Sequence, residues 1–203
     1  MKVVSGQVMQ RMDRRAIGEF GVPGLELMEH AGRGCADVIE EAFGEGEARR
    51  AVIVAGKGNN GGDGFVIARL LAERGWEVPV LLLAAPEAVT GDAAANLARL
   101  DPATMKSVPR GIAGEQELLQ SATVIVDALL GTGMNSEVTG VYAEAIDIIN
   151  AAGVPVVSVD IPSGVDAATG KVLGRAVRAD ITVTFALAKL GNVLYPGAEL
   201  CGR

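Results

Sequence analysis

Aromatic side chains make up only 3% of the 203 residues, Trp76 is the one tryptophan, and the net charge at neutral pH is -7. Stacking on bases and neutralising phosphates both need what this chain is short of, so nucleic acid is not expected as a partner. Cysteine is scarce as well. Cys35 and Cys201 stand far apart with no C-x-x-C, which argues against a disulfide framework or a zinc site and leaves two buried or incidental thiols. His30 is the sole histidine and sits inside a helical pattern, a structural position rather than that of a catalytic base. The apolar runs are too short to cross a bilayer, and the N-terminus lacks the pattern of a secretory signal. The expectation is a cytoplasmic protein with no membrane association.

Familiar catalytic signatures are missing too. There is no G-x-x-x-x-G-K-[ST] phosphate loop and no G-x-S-x-G elbow, since Ser163 stands in Ile-Pro-Ser-Gly. Tyr142 and Tyr195 have no lysine four residues on. A dinucleotide dehydrogenase would want an acidic residue closing its second strand, but residues 81–85 supply none, and Glu87 comes late, after Pro86.

What is present is a soluble composition, 49% apolar and 21% charged, long enough for one domain with a sizeable core. Ser5 can cap a first helix with Val8, Met12 and Ile17 on one face, ending near Gly18. A stronger helix carries Met28, Ala31, Cys35, Val38, Ile39 and Ala42 at three and four residue spacing, closed by a turn at residues 45–47. Residues 51–55 read as a buried strand, 62–74 as a helix and 78–83 as the next strand, one βαβ unit. A helix over 91–99 and a short strand near Ser107 follow. Further strands are expected at 123–127, 156–159 and 181–185, with a helix over 141–152. This alternation predicts a three-layer α/β/α Rossmann-like domain with a mostly parallel central sheet.

The stretch Gly56-Lys-Gly-Asn-Asn-Gly-Gly-Asp-Gly64 is the densest in information. Gly56, Gly58 and Gly61 fit G-x-G-x-x-G, and Gly58, Gly61, Gly62 and Gly64 would let the backbone take positive φ and admit a phosphate to the helix amides. Asn59, Asn60 and Asp63 exceed what one turn needs. Ligands of an open parallel sheet bind beyond the carboxyl ends of its strands. This loop, Asp127 with Gly131 to Gly133, and Asp160 with Ser163 each follow a strand and should share that edge. Such a set could bind a phosphate-bearing ligand together with a hard cation. Asp127 and Asp160 could equally cap the segments after their strands. Lys189, placed after the last strand, is either solvated or part of the site.

Together with Val126-Asp-Ala-Leu-Leu-Gly-Thr-Gly133, Val159-Asp-Ile-Pro-Ser-Gly-Val-Asp166, Ala179-Asp-Ile-Thr-Val-Thr-Phe185, Lys189 and Leu27-Met-Glu-His-Ala-Gly32, this stretch resembles the YjeF N-terminal domain family, the NAD(P)H-hydrate epimerases. The resemblance covers nearly the whole chain, with His30 where the family has asparagine. It implies an isomerase that interconverts the R and S forms of hydrated NADH and NADPH at C6 of the nicotinamide ring, a metabolite-repair reaction. It places Asn59, Asn60, Gly61, Gly62 and Asp63 with Gly131, Thr132, Gly133, Met134, Asn135, Ser136 and Glu137 at the substrate. Asn60, Asp127 and Ser163 would hold one potassium ion per subunit, and Asp160 would sit at the ring, with Lys189 tuning it or acting as a second acid-base group. It also implies a homodimer, and an ADP- or ATP-dependent hydrate dehydratase as fused or separate partner. Residues 1–203 would form a single domain of this type, lacking the family's final strand. Some superfamily members are non-catalytic nucleotide-binding or dimerising scaffolds; the presence of Asp63, Asp127 and Asp160 favours the enzyme.

Overall fold

The computed structural model describes residues 2–46 and 49–203. Glu47, at the end of the expected turn over 45–47, lies outside the described residues. In chain order the elements are β1 (Val3–Val4), α1 (Gly6–Gly18), α2 (Gly24–Phe43), β2 (Ala51–Ala55), α3 (Asn59–Glu73), β3 (Val80–Leu82), α4 (Gly91–Leu97) and β4 (Met105–Ser107). There follow α5 (Gln116–Gln120), β5 (Val124–Ala128), α6 (Gly140–Ala151), β6 (Val156–Val159), β7 (Ile181–Val183), β8 (Ala188–Lys189), α7 (Leu190–Val193) and α8 (Gly197–Leu200).

Six strands form one parallel sheet in the order β4-β3-β2-β5-β6-β7. The chain runs from β2 outward to β4, then returns to β5 on the other side of β2, so the strand order reverses between β2 and β5. Successive side chains of a strand face opposite sides of a sheet, and β2 shows the consequence. Ala51, Ile53 and Ala55 join a core with Ile39, Phe65 and Leu71 of α2 and α3, while Val52 and Val54 join Leu119, Ile146 and Ile149 of α5 and α6. Both faces are covered, as the near-continuous apolar strands require. Each fully buried large side chain such as Ile53 contributes about 1.5–3 kcal/mol.

Two local expectations need correction. Helix α3 begins at Asn59 rather than Gly62, and none of Gly56, Gly58, Gly61, Gly62 or Gly64 has a positive φ. Close packing, not left-handed turns, demands glycine here: a Cβ on Gly61 would stand 1.9 Å from the Gly56 carbonyl oxygen. Tertiary packing thus overrides a helix penalty of about 1 kcal/mol per glycine. Helix α1 is capped by Ser5, whose Oγ accepts from the Val8 N–H at 3.3 Å, but it turns a different face inward than its apolar residues suggest. Gly6 and Met9 are buried, whereas Met12 and Ile17 are 41% and 45% exposed.

The last strand also ends early. β7 stops at Val183, Thr184 and Phe185 leave the sheet, and Ala186 turns the chain at φ 55° into β8. Strand β8 pairs in parallel with β1 in a separate two-stranded sheet, with Val3 opposite Ala188 and Val4 opposite Lys189.

Candidate functional site

The reversal of strand order opens a crevice between the chain ends leaving β2 and β5, the place where such sheets receive ligands. Its floor is tight. The Gly56 N–H donates to the Ala128 carbonyl at 3.0 Å, and the Asn60 amide, in the first turn of α3, donates to the Leu130 carbonyl at 3.2 Å. The first-turn amides of α3 therefore open toward the crevice with the Gly131 to Gly133 loop beside them, a surface suited to an anion. Gly58, at the cap of α3, has open space where a side chain would project.

Asp127, the fourth residue of β5, is fully buried behind this crevice. Its carboxylate accepts from Ser158 Oγ at 2.8 Å, the Ser163 N–H at 2.9 Å, Ser163 Oγ at 2.5 Å and the Leu129 N–H at 3.3 Å. Burial raises its pKa, and the bonds from Ser163, Ser158 and Leu129 oppose that rise. Ser163 Oγ also accepts from the Leu130 N–H at 2.9 Å and lies 3.1 Å from the Leu130 carbonyl. A hydroxyl has one proton, so it cannot satisfy Asp127 and the Leu130 carbonyl together. Asn60, Asp127, Ser163 and the Leu130 carbonyl form an oxygen-only set with a single carboxylate, and among the described residues no three His, Cys, Asp or Glu groups gather as a metal site. That chemistry suits a weakly charged, oxygen-loving cation.

The second cluster lies at the ends of β6 and β7. Asp160 adopts a left-handed conformation at φ 69°, strained for a residue with a Cβ, and this turn carries its carboxylate back toward Lys189. Lys189 is 0% exposed. Its ammonium forms an ion pair with Asp160 Oδ1 and also donates to Thr184 Oγ1 at 3.0 Å and the Phe185 carbonyl at 3.1 Å. The Phe185 N–H adds a bond to the same Asp160 oxygen at 3.2 Å. Asp160 Oδ2 accepts no hydrogen bond among the described residues. Asn192 ties the arrangement together, accepting from the Lys189 N–H at 2.8 Å and donating to the Asp160 carbonyl at 3.3 Å.

Asp63 is 9% exposed. Burial, then the charges of Asp160 and Asp13, push its carboxyl well above the usual range, with Lys189 opposing. Burial likewise pushes the Cys35 thiol up, so Cys35 is an inert neighbour of these acids.

The structure brings the expected residues together in two groups. Asn60, Gly131, Asp127 and Ser163 form one, a Cβ on Gly131 falling 3.2 Å from Asn60 Oδ1; Asp160 and Lys189 form the other, with Asp63 within reach of their charges but not bonded to either. Gly61 and Gly62 are buried within α3, and Asn59 is exposed at its start. Thr132 and Met134 are half-buried, whereas Gly133, Asn135, Ser136 and Glu137 are exposed. Glu137 lies against Gly174, whose Cβ would meet Glu137 Cγ at 2.8 Å. His30 is exposed on α2. Thr184, Asn192, Ser158 and the Leu130 carbonyl are not among the site residues expected from the sequence; polar residues within or just after apolar strands mark Ser158 and Thr184, while Asn192 and a backbone carbonyl carry no such mark.

Residues 24–191 match the family described as YjeF-related protein N-terminus. The chain is 46% identical to the bifunctional NAD(P)H-hydrate repair enzyme of Thermofilum pendens, a match covering 100% of this chain but 39% of that protein. It is 42% identical to the NAD(P)H-hydrate epimerase of Rhodopirellula baltica, over 97% of this chain and 80% of that one. A yeast protein crystal structure superposes with a TM-score of 0.85 at 26% identity, covering 95% of this chain and 84% of the other. This chain thus spans about two fifths of the length of the bifunctional relative. It belongs to the family of YjeF-related protein N-terminal domains.

Proposed function

We propose that the chain is an isomerase that interconverts the R and S epimers of hydrated NADH and NADPH at C6 of the reduced nicotinamide ring. The supporting observation is Asp160: one carboxylate oxygen is fixed by Lys189 and the Phe185 N–H, and the other accepts no bond among the described residues. Inversion at C6 needs a group that gives and takes a proton there, whether the hydroxyl leaves as water and returns to the other face or the hemiaminal opens and recloses. Oδ2 of Asp160 is the oxygen for that exchange, and Lys189 holds the carboxylate in place.

The Asn59 to Asp63 turn and the Gly131 to Glu137 loop would take the phosphates and the rest of the dinucleotide. Asn60, Asp127 and Ser163, with the Leu130 carbonyl, would hold potassium. That ion would supply fixed positive charge beside an anionic substrate. Relatives named as bifunctional repair enzymes support a functional tie to a second repair activity, taken here as the ADP- or ATP-dependent dehydratase; a cytoplasmic setting and a homodimer belong to the same proposal. No described helix is long and apolar enough to cross a membrane.

The test is direct. Purified R or S hydrate is incubated with the protein and epimer exchange is followed by chromatography. Acceleration that Asp160→Asn abolishes in a folded protein is the expected result; exchange no faster than in buffer overturns the reading.

A further inference from the structure

Helix α1 precedes residue 24, where the family match begins, and its inward face is unusual. Gly6, Met9, Gln10 and Asp13 fall at the i, i+3, i+4, i+7 spacing of one helix face. Gly6 and Met9 are buried, Gln10 is half-buried and Asp13 is exposed at the end of this face, while the apolar Met12 and Ile17 stay exposed. The buried part of this face is small or apolar, and its polar residues Gln10 and Asp13 lie where the face meets solvent, as at the wall of an open cleft.

That cleft is the site described above. A Cβ on Gly6 would stand 3.3 Å from the Thr132 carbonyl oxygen, and one on Gly133 would stand 3.8 Å from Gln10 Nε2, so α1 lies across the glycine loop after β5. Asp13, one turn further, is close enough to Asp160 and Lys189 to feel both charges: partial burial and Asp160 push its carboxyl up, and Lys189 pulls it down. At the head of the helix, β1 places Val4 in register with Lys189 itself. Among the described residues Asp13 makes no hydrogen bond or salt bridge that would give it a structural task.

We propose that α1 is a wall of the substrate site, on which Gln10 and Asp13 contact the substrate. This rests on the reading of the site as a hydrated nicotinamide dinucleotide site and says how that substrate is oriented. Asp13 and Asp160 give one end of the cleft two carboxylates, which repel a pyrophosphate and accept from hydrogen-bond donors. The carboxamide N–H groups and ribose hydroxyls of the nicotinamide half are such donors. The other end carries the α3 amides and the Gln10 amide, which donate to phosphate oxygens. The ring is therefore delivered to Asp160 and the pyrophosphate to the glycine loops.

The experiment compares wild type with Asp13→Asn, Asp13→Glu, Gln10→Ala and, as a control on the outward face of α1, Met12→Gln. Epimer exchange gives kcat and KM, thermal melts report folding, and calorimetry measures binding of hydrated NADPH. Losing a hydrogen bond to a charged group corresponds to roughly 10- to 100-fold in affinity. Asp13→Asn should raise KM and weaken binding by about that factor, with kcat changed by less than roughly threefold, partial recovery in Asp13→Glu and an unchanged melting temperature. Gln10→Ala should raise KM less, and Met12→Gln not at all. If wild type is active and the α1 variants match it in KM, the inference fails while the epimerase reading stands. A wild type that does not accelerate exchange but binds the hydrate, with weaker binding in Asp13→Asn, sinks the epimerase reading and keeps α1 in the site. Melting temperatures that fall in parallel with affinity would make Asp13 structural and overturn the inference.

Discussion

Lys189 and Asp160 form an ion pair in which the lysine has no exposed surface and its ammonium also donates to Thr184 and the Phe185 carbonyl. Deleting one member of a buried pair leaves the other charge uncompensated, at a cost of about 3–5 kcal/mol. Lys189→Met is therefore expected to unfold at distinctly lower urea concentration and to lose activity. Asp160→Asn keeps a side chain that tolerates the left-handed backbone but cannot exchange a proton, so activity should fall by roughly 10²- to 10⁴-fold, with a stability loss similar to that of Lys189→Met because the fully buried Lys189 ammonium loses its counter-charge. Urea melts and epimer exchange on both variants check this. A Lys189→Met protein as stable as wild type would mean that the charge of Asp160 is not held by Lys189.

Asp63 carries a pH signature of opposite sign to that of an ordinary surface carboxylate. Burial and the acids around it hold its proton in the folded state well above the value of about 3.9 at which the unfolded chain releases it. Across the window from that value up to the raised folded one, the folded form binds more protons than the unfolded form, so this group makes stability fall as pH rises. Asp63→Asn removes the titration while keeping the shape. The variant should exceed wild type in stability at neutral pH, with the difference narrowing toward about pH 4 and levelling off below it. Urea midpoints over a pH series decide the matter; a difference that widened on acidification would show Asp63 ionised in the fold.

Gly61 and Gly58 look alike in the sequence and differ in space. A Cβ on Gly61 would collide with backbone, the Gly56 carbonyl oxygen at 1.9 Å, whereas one on Gly58 would meet nothing within 4 Å. Gly61→Ala is expected to cost about 3 kcal/mol or more, because a carbonyl at the end of β2 cannot move aside as a side chain can. Gly58→Ala should leave the melt within about 0.5 kcal/mol of wild type, and if the proposed substrate approaches the α3 amides through the open space there, the effect should appear in KM. Thermal melts and KM for the two variants separate a packing glycine from a ligand-facing one.

This pair also shows where sequence reading stops. Short β-branched runs bounded by glycine and aspartate were legible as strands: 51–55 and 156–159 match β2 and β6 residue for residue, and their order placed Asp127, Asp160 and Ser163 at one edge. The role of each glycine was not legible, because a close approach to Gly56 depends on how α3 packs, which no local pattern encodes. Lys189 was equally ambiguous. Its burial depends on β8 pairing with β1, a contact between residues at opposite ends of the chain. The face of α1 is ambiguous for a related reason: Gly6 and Met9 pack inward while Met12 and Ile17 stay exposed, a choice set by the loop after β5 that the helix rests on and not by apolar spacing alone.

Ser163 joins the fold to the proposed cation site, so its hydroxyl can be tested for both roles at once. In Ser163→Ala the fully buried Asp127 loses the hydroxyl bond of 2.5 Å and keeps those from the Ser163 N–H, Ser158 and Leu129. Removing one partner of a buried, charged acceptor costs about 1–3 kcal/mol, and a thermal melt should show that loss with or without potassium. The Leu130 carbonyl and Asn60 keep their positions through their own bond, so the oxygen set is depleted by one member rather than dismantled. If that set holds potassium, wild-type exchange should rise when choline chloride is replaced by potassium chloride at constant ionic strength, and the Ser163→Ala protein should need a higher potassium concentration for the same rise. Equal activity of wild type in the two salts would remove potassium from the site, and the stability loss would then report the hydrogen bond to Asp127 alone.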